Sequence, residues 1–323
     1  MKWLCIASRP AFVCILAMFV GLCTGAAKDQ STSTQSPAQI DAHPWPTDPS
    51  LYVGSAVCKT CHEDMPTKGF YKHFEDSPHF ATTLEKAKGP EWHGCEACHG
   101  PGKAHVDSGG DPTKIFIYKS ASVRTITYRC LSCHAGGTQQ MHALNSVHTL
   151  NGVSCLACHS PHFAVTTEYL LIKPQPELCY SCHLARKAEF AMPFHHRVNE
   201  GLILCTDCHN PHGTQLPKQV RMNASQDAIC FKCHTDKEGP FVYEHAPVRV
   251  DGCESCHMVH GGPNAHMLKL SNVNLLCLQC HTTSTFSSAP GAPSFHNQAS
   301  FFQACTLCHF AIHGSNFSPT FFK

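Results

Sequence analysis

The chain has 323 residues, of which 23 are Cys and 26 are His, while Asp, Glu, Lys and Arg together make up 15%, against about a quarter in ordinary proteins. Its 21 Gly and 22 Pro argue against a core of long periodic helices or strands. A formal net charge of +1, without a long basic run, excludes nucleic-acid binding through a phosphate-neutralising surface. A disulfide scaffold and a metal or haem protein remain.

The first segment predicts export. Basic residues precede the apolar stretch AFVCILAMFVGLCTG, which leads into two alanines, so residues 1–27 are predicted to be a cleavable secretory signal peptide. The apolar stretch is shorter than the roughly 20 residues that span a bilayer. Residues 28–50 are polar and rich in Pro and Ser, and we expect a disordered or extended tether there. Residues 51–323 would then form the folded domain.

All cysteines after residue 27 fall into one pattern, C-x-x-C-H, which occurs ten times with no cysteine left over. With 26 His in 323 residues, ten His in ten such positions cannot come from composition. The ten copies are Cys58, Cys61 and His62; Cys95, Cys98 and His99; Cys130, Cys133 and His134; Cys155, Cys158 and His159; Cys179, Cys182 and His183; Cys205, Cys208 and His209; Cys230, Cys233 and His234; Cys253, Cys256 and His257; Cys277, Cys280 and His281; and Cys305, Cys308 and His309.

This string is the attachment site of c-type haem, because two thiols three residues apart reach the two vinyl groups while the adjacent imidazole reaches the iron. A disulfide framework explains an even number of cysteines in an exported protein but gives no reason for the His. A structural zinc site draws its other ligands from a distant pair and does not require His beside the second Cys. We therefore expect ten haems c, with the motif histidines as proximal iron ligands.

Sixteen further histidines can supply the distal ligands. After each even-numbered motif a His follows within a few residues, and after each odd-numbered motif one follows at longer spacing. A His three residues beyond a proximal ligand can hardly reach the far face of the same porphyrin, so we expect it to ligate a neighbouring haem. His73 and His195 are alternatives to two members of the set. The predicted distal ligands are His79, His105, His148, His162, His196, His212, His245, His260, His296 and His313.

The motifs group into five di-haem modules that begin near residues 58, 130, 179, 230 and 277. Repetition of this kind predicts an array, here an extended linear array of haems. Few windows show a sustained helical or strand period. The predicted fold class is therefore a multihaem cytochrome c of mostly irregular coil, with short α-helices around the motifs, little or no β-structure, and haems in place of an apolar core.

Several local strings resemble the MtrA/DmsE-type decahaem cytochromes in order and spacing. They are CEACHGPGKAH, CTDCHNPHG, GPFVYEHAPV leading into CESCHMVHG, MLK before the ninth motif, and the ending IHGSN. The resemblance extends from about Tyr52 to Ser315. It implies a haem wire with two histidines on every iron, facing the periplasm and inserted into an outer-membrane β-barrel porin. A periplasmic or inner-membrane cytochrome would donate electrons, and an outer-surface cytochrome or a mineral would accept them.

Electron transfer rather than catalysis is the predicted function. Catalysis at haem needs an open or exchangeable axial position, whereas this chain offers ten proximal and ten distal histidines. A multihaem oxidoreductase of small nitrogen compounds is thus disfavoured. Within the electron-transfer class, a conduit at the outer membrane is favoured, and a soluble periplasmic carrier that feeds a reductase is the alternative.

Overall fold

The computed structural model describes residues 45–63, 74–82, 87–221, 227–281 and 305–322, all within one contact unit, residues 40–323. The predicted signal peptide, most of the predicted tether, and the candidate ligands His73 and His296 lie outside the described residues.

The helices are short, and most of them carry or adjoin a motif. The longest described one begins after Ser122, whose Oγ accepts a hydrogen bond from Thr125 N at 3.1 Å, and it ends on a motif histidine. The α-helices are α1 Ser55–His62, α2 Pro78–Thr82, α3 Gly94–His99, α4 Lys103–Asp107, α5 Val123–His134, α6 Val147–Leu150, α7 Glu177–Tyr180, α8 Leu184–Phe190, α9 Cys205–Cys208, α10 Ala228–Phe231, α11 Ala246–Val250 and α12 Val273–Cys277.

Three of the even-numbered motifs begin on a single 3₁₀ turn instead of an α-helix, at Cys155–Ala157, Cys253–Ser255 and Cys305–Leu307. The described β-structure is one antiparallel pair, β1 Phe194–His195 and β2 Gly261–Gly262. The predicted fold class, coil with short helices at the motifs and little β-structure, is confirmed.

Apolar side chains form very little core. Within the described ranges, eight hydrophobic side chains are buried, and the core cluster they form holds Tyr180, Phe190 and Val198. Large apolar side chains elsewhere stay open to solvent, such as Val250 at 79% and Leu307 at 72% exposure. A chain of this length needs more burial than that to offset the conformational entropy lost on folding. Haem bound at the motifs would supply the missing apolar surface.

The last residues of the predicted tether are packed. Trp45 Nε1 donates to the Ala97 carbonyl at 3.0 Å, its ring meets Phe116 edge-on at 5.8 Å, and the Arg129 guanidinium lies 3.4 Å from its ring centre. Sequence composition placed the end of the tether at Ser50. The structure differs because the indole anchors this segment to the second motif.

A buried carboxylate joins the first two motifs. Glu96 is 3% exposed and accepts hydrogen bonds from Val53 N, Gly54 N and Gly102 N, the last two at 2.7 Å. These three backbone donors satisfy an otherwise costly buried charge. The second motif is thereby fixed against the chain that leads into the first.

Across the described ranges, none of the helices combines the length and the apolar character that a bilayer crossing requires.

Candidate haem sites

The motif cysteines meet in pairs. All twenty are described, and none of them forms a disulfide. The first cysteine of each odd-numbered motif lies within hydrogen-bonding distance of the first cysteine of the next motif. The five contacts are Cys58 with Cys95, Cys130 with Cys155, Cys179 with Cys205, Cys230 with Cys253, and Cys277 with Cys305. Each joins the two motifs of one predicted module.

Electrostatic interactions between cysteines link each module to the next. A cysteine of each even-numbered motif up to the eighth lies close enough to a cysteine of the following odd-numbered motif for their charges to interact. The interacting pairs are Cys98 with Cys133, Cys158 with Cys182, Cys208 with Cys233, and Cys256 with Cys277. Motifs that are consecutive in the sequence are therefore also neighbours in space.

Nine motif histidines each face one predicted distal histidine. The ring centres of each pair are 6.0 to 6.5 Å apart. The nine pairs are His62 with His105, His79 with His134, His99 with His162, His148 with His183, His159 with His212, His196 with His234, His209 with His260, His245 with His281, and His257 with His313.

These separations fit an iron between the two rings. A metal-bound imidazole nitrogen lies about 2 Å from the metal, so two imidazoles on opposite sides of one metal have ring centres roughly 6 Å apart. The motif histidine that lacks a described partner is His309, and the predicted ligand left for it, His296, lies outside the described residues.

The pairing follows a rule that spacing alone does not give. A motif histidine in an odd-numbered motif from the third to the ninth faces a histidine from the preceding module, as His134 faces His79. A motif histidine in an even-numbered motif up to the eighth faces one from the following module, as His159 faces His212. His162, three residues after His159, accordingly faces His99, two motifs earlier. Histidines three residues apart, such as His159 and His162, thus face different partners.

Backbone carbonyls orient the histidines of the even-numbered motifs. In each, Nδ1 hydrogen-bonds to a carbonyl 9 to 17 residues further on, so that Nε2 is left for a metal. Three of the acceptor residues have positive φ between 56° and 58°, an uncommon conformation for a residue other than Gly, which turns the carbonyl toward the ring. The bonds join His99 to Phe116 (2.9 Å), His159 to Tyr169 (2.6 Å), His209 to Lys218 (2.9 Å), His257 to His266 (2.8 Å) and His309 to Thr320.

Carbonyls also orient several distal histidines. Three of these carbonyls belong to the residue just before another distal histidine. One short segment therefore carries one distal histidine and, through its carbonyl, orients a second. The bonds join Nδ1 of His105 to Asp111 (2.8 Å), Nδ1 of His148 to Pro211 (2.9 Å) and Nδ1 of His196 to Val259 (2.6 Å), and the His245 ring hydrogen-bonds to the Ile312 backbone.

His195, the alternative to His196, is engaged elsewhere. Its Nε2 contacts Glu200 Oε1 at 3.0 Å and its Nδ1 contacts the Met192 carbonyl at 2.6 Å. The hydrogen bond to Glu200 raises the pKa of His195. Both ring nitrogens are therefore occupied, and His196 is the residue that faces His234.

Burial lowers the pKa of seven of the facing imidazoles, which favours the neutral form that metal ligation requires. Loss of solvent around the ring is the main cause of each decrease, and repulsion from the facing histidine adds to it at every one of these rings except His99, where His62 adds to it. The pKa of His212 falls to about 4 in this way. The pKa is likewise lowered at His79, His99, His183, His245, His260 and His313.

A set of hydrogen bonds between paired motifs, here called clamps, was not predicted from the sequence. A polar side chain three residues before the first cysteine of an odd-numbered motif accepts a hydrogen bond from the backbone of the next motif's first cysteine. The sequence feature that could have revealed these hydrogen bonds is the polar residue three positions before the first cysteine. In the third module this position is Pro176, and Gln175 Oε1 contacts Thr206 N at 3.4 Å instead. The three bonds are Cys95 N to Ser55 Oγ (3.0 Å), Cys253 N to Asp227 Oδ2 (3.0 Å) and Cys305 N to Asn274 Oδ1 (2.8 Å).

The residues present fit haem c. Paired thiols, neutral imidazoles held at Nδ1 and exposed apolar side chains are what a thioether-linked porphyrin needs. In addition, Arg129 Nη1 is buried without a hydrogen-bond partner, beside Cys130, where it could meet a carboxylate of the haem. Fold and sites together define a multihaem c-type cytochrome, a haem-binding electron-transport protein.

Comparison with known proteins agrees with that class. A family model for the doubled CXXCH motif matches residues 148–188, 195–239 and 245–286, and the model for cytochrome c554 and c-prime matches residues 111–160. Each doubled-motif match contains an even-numbered motif followed by an odd-numbered one, one motif out of step with the predicted modules. The modules themselves stay a prediction.

Three curated proteins are similar to the chain. The multiheme cytochrome MtrA of Shewanella baltica is 34% identical over 230 residues, which cover 69% of this chain and 68% of that protein. The cytochrome c-type protein NrfB of Escherichia coli is 28% identical over 135 residues, 37% of this chain and 71% of NrfB. The high-molecular-weight cytochrome c of Nitratidesulfovibrio vulgaris is 22% identical over 280 residues, 80% of this chain and 46% of its own length. The chain belongs to the MtrA-type multihaem cytochrome family.

Proposed function

We propose that this chain carries ten covalent haems, each between two histidines, and moves electrons along them in chain order without catalysing a reaction. The nine facing histidine pairs carry the proposal, since a site with imidazole on both sides has no position left for a substrate. Bound haem supplies a one-electron iron couple. The protein contributes the ligands, their orientation through Nδ1, and the thiol contacts that keep successive sites close.

Intact mass and spin state test this part. The purified holoprotein should carry the mass of ten haems, and its ferric form should show low-spin signals without a major high-spin one. Fewer than nine haems, or added mass from zinc, would contradict the assignment. A high-spin haem would return a small-molecule oxidoreductase to consideration, and the site of His309 should be examined first.

We further propose that the protein is exported to the periplasm by its signal peptide and acts inside an outer-membrane β-barrel porin. In this role it takes electrons from a periplasmic or inner-membrane cytochrome and delivers them to an outer-surface cytochrome or a mineral. Membership of the MtrA-type family and the unbroken succession of sites support the proposal. A closed barrel satisfies its own backbone hydrogen bonds in lipid and can enclose a polar interior, which makes it a suitable sheath.

Reconstitution tests the membrane role. The cytochrome and its candidate porin are inserted into liposomes that hold an internal reductant, and an acceptor too large to cross is added outside. Oxidation of the internal pool should require both proteins. If the cytochrome purifies alone from the periplasm, never co-isolates with a barrel and reduces a soluble partner instead, the periplasmic-carrier alternative replaces the conduit.

A further inference from the structure

One distal histidine is held differently from those bonded to carbonyls. His260, which faces His209 at 6.2 Å between ring centres, directs Nδ1 at the carboxylate of Glu189, with 2.8 Å between Nδ1 and Oε2. The other carboxylate oxygen pairs with Arg186, whose Nη2 lies 2.8 Å from Oε1. The side chains of His260 and Glu189 are 22% and 26% exposed.

Long-range packing builds this contact. Glu189 lies on α8, and His260 directly precedes β2, 71 residues further on. β2 pairs with β1 in the register Phe194 to Gly262. Phe190 packs its ring on His260 with ring centres 5.2 Å apart and is 6% exposed. The carboxylate is therefore positioned by the fold and does not merely reach the ring from a mobile surface.

The direction of the proton follows from the chemistry of the ring. With Nε2 facing His209, a neutral His260 has one N–H to donate, at Nδ1, and the Glu189 oxygen accepts it. Arg186 Nη1 also approaches Nδ1, at 3.2 Å. A guanidinium cannot accept a proton, so we take the shorter contact to the carboxylate as the hydrogen bond. The charge of Arg186 then acts on Glu189.

A carboxylate at Nδ1 changes the ligand more than a carbonyl does. It draws the Nδ1 proton toward itself, which makes the imidazole more basic and a stronger electron donor to a metal at Nε2. A stronger donor favours ferric over ferrous iron and so lowers the reduction potential. Partial burial strengthens the effect, because charges interact more strongly where water is excluded. Arg186 opposes it by neutralising part of the carboxylate charge.

We propose that Glu189 and Arg186 set the reduction potential of the haem held between His209 and His260, Glu189 lowering it and Arg186 limiting the decrease. The two residues are positioning residues that act through His260. This inference rests on the proposed histidine pairing, and it makes the sixth attachment site an electronically distinct point in the series.

Two substitutions that each remove one charge give opposite expectations. Glu189→Gln keeps the shape and an acceptor oxygen but removes the charge, so the potential should rise, by about 59 mV if the reduction equilibrium changes tenfold. Arg186→Gln leaves the carboxylate unopposed, so the potential should fall. In a spectroelectrochemical titration of the holoprotein, the reduction potential should shift only for the fraction of the absorbance change that one haem contributes.

The chain offers a matched control. Glu200 pairs with His195 at 3.0 Å and with Arg197 at 3.2 Å, the same trio of residue types, but His195 faces no motif histidine among the described residues. Glu200→Gln should therefore shift the titration less than Glu189→Gln does.

A disturbance of packing in general would move the potential in one direction for both Glu189→Gln and Arg186→Gln.

A rise of the potential in Glu189→Gln together with a fall in Arg186→Gln supports the proposal, and no shift, two shifts of the same sign or the reverse pair of shifts overturns it. If Glu189→Gln fails to assemble, the fall expected for Arg186→Gln still decides. His260→Ala separates this inference from the pairing on which it rests, because it should convert one haem to a high-spin ferric form. If that conversion occurs while the charge variants leave the potentials unchanged, the pairing stands and the tuning is rejected.

Discussion

Gly261 should be intolerant of even one added methyl group. A Cβ at this position in β2 would lie 2.3 Å from the Glu189 carbonyl oxygen and 2.8 Å from His195 Cβ. Neither atom lies at the end of a flexible side chain, so rotation relieves neither contact. Reaching even the 3.0 Å below which real Cβ contacts essentially never occur means opening the space between β2 and the end of α8 by 0.7 Å.

That opening gives the size of the expected effect. Overpacking of a well-packed site costs about 1–3 kcal/mol, so Gly261→Ala should lower the free energy of unfolding of the holoprotein by that amount. Guanidinium unfolding followed by far-ultraviolet circular dichroism measures it. Gly136→Ala is the control, because a Cβ there meets nothing within 4 Å and the backbone is not left-handed. If the two variants unfold at the same denaturant concentration, the added methyl group at Gly261 does not overpack the space between β2 and α8, and the prediction is wrong.

Three further predictions concern ligands and clamps. Because His162 faces His99, the double substitution His99→Met with His162→Met should alter one haem, whereas His159→Met with His162→Met should alter two, counted by the loss of bis-histidine low-spin signal in electron paramagnetic resonance. Asp227→Ala should lower the free energy of unfolding by about 1–3 kcal/mol, since its carboxylate, 8% exposed, receives the Cys253 N–H. Burial lowers the pKa of His212 from 6.5 to about 4, so the unfolded chain binds more protons in that window and the unfolding free energy should fall as pH decreases through it, measured by denaturant titrations at several pH values.

Each of these has a contrary result. Two altered haems in the first double variant would mean that His162 ligates elsewhere. For the clamp, Asp236→Ala is the control, because Asp236 pairs with Lys237 at the surface, and an equal loss in both variants would show that Asp227 has no special role. A His212→Gln variant should lose part of the acid sensitivity, and an unchanged pH profile would remove His212 as its source.

The parts of the site that depend on residue type could be read from the sequence. Covalent attachment demands two thiols and an imidazole at fixed spacing, and a second imidazole for each iron must come from the histidines that remain. The structure places nine of the ten predicted distal histidines opposite a motif histidine.

Which histidines meet could not be predicted, because sequence spacing limits reach but does not say which neighbouring haem a ligand approaches. The orienting groups were hidden for a different reason. Tyr169, Lys218 and His266 act through backbone carbonyls in similar left-handed turns, and their side chains have nothing in common. Trp45 was assigned to a tether by the composition around it, although a single indole is enough to anchor the segment.

The pairing rule makes the protein extensible. Each described junction between modules is crossed by two histidine pairs, one in each direction, as His79 with His134 and His99 with His162 join the first two modules. The first module closes on itself through His62 and His105. Excising or duplicating one interior module at its boundaries would leave every ligand with a counterpart of the same kind, so a conductor of different length needs no new coordination chemistry. Cutting within a module would strand ligands on both sides, and natural or engineered length variants of this chain should therefore differ by whole pairs of haems.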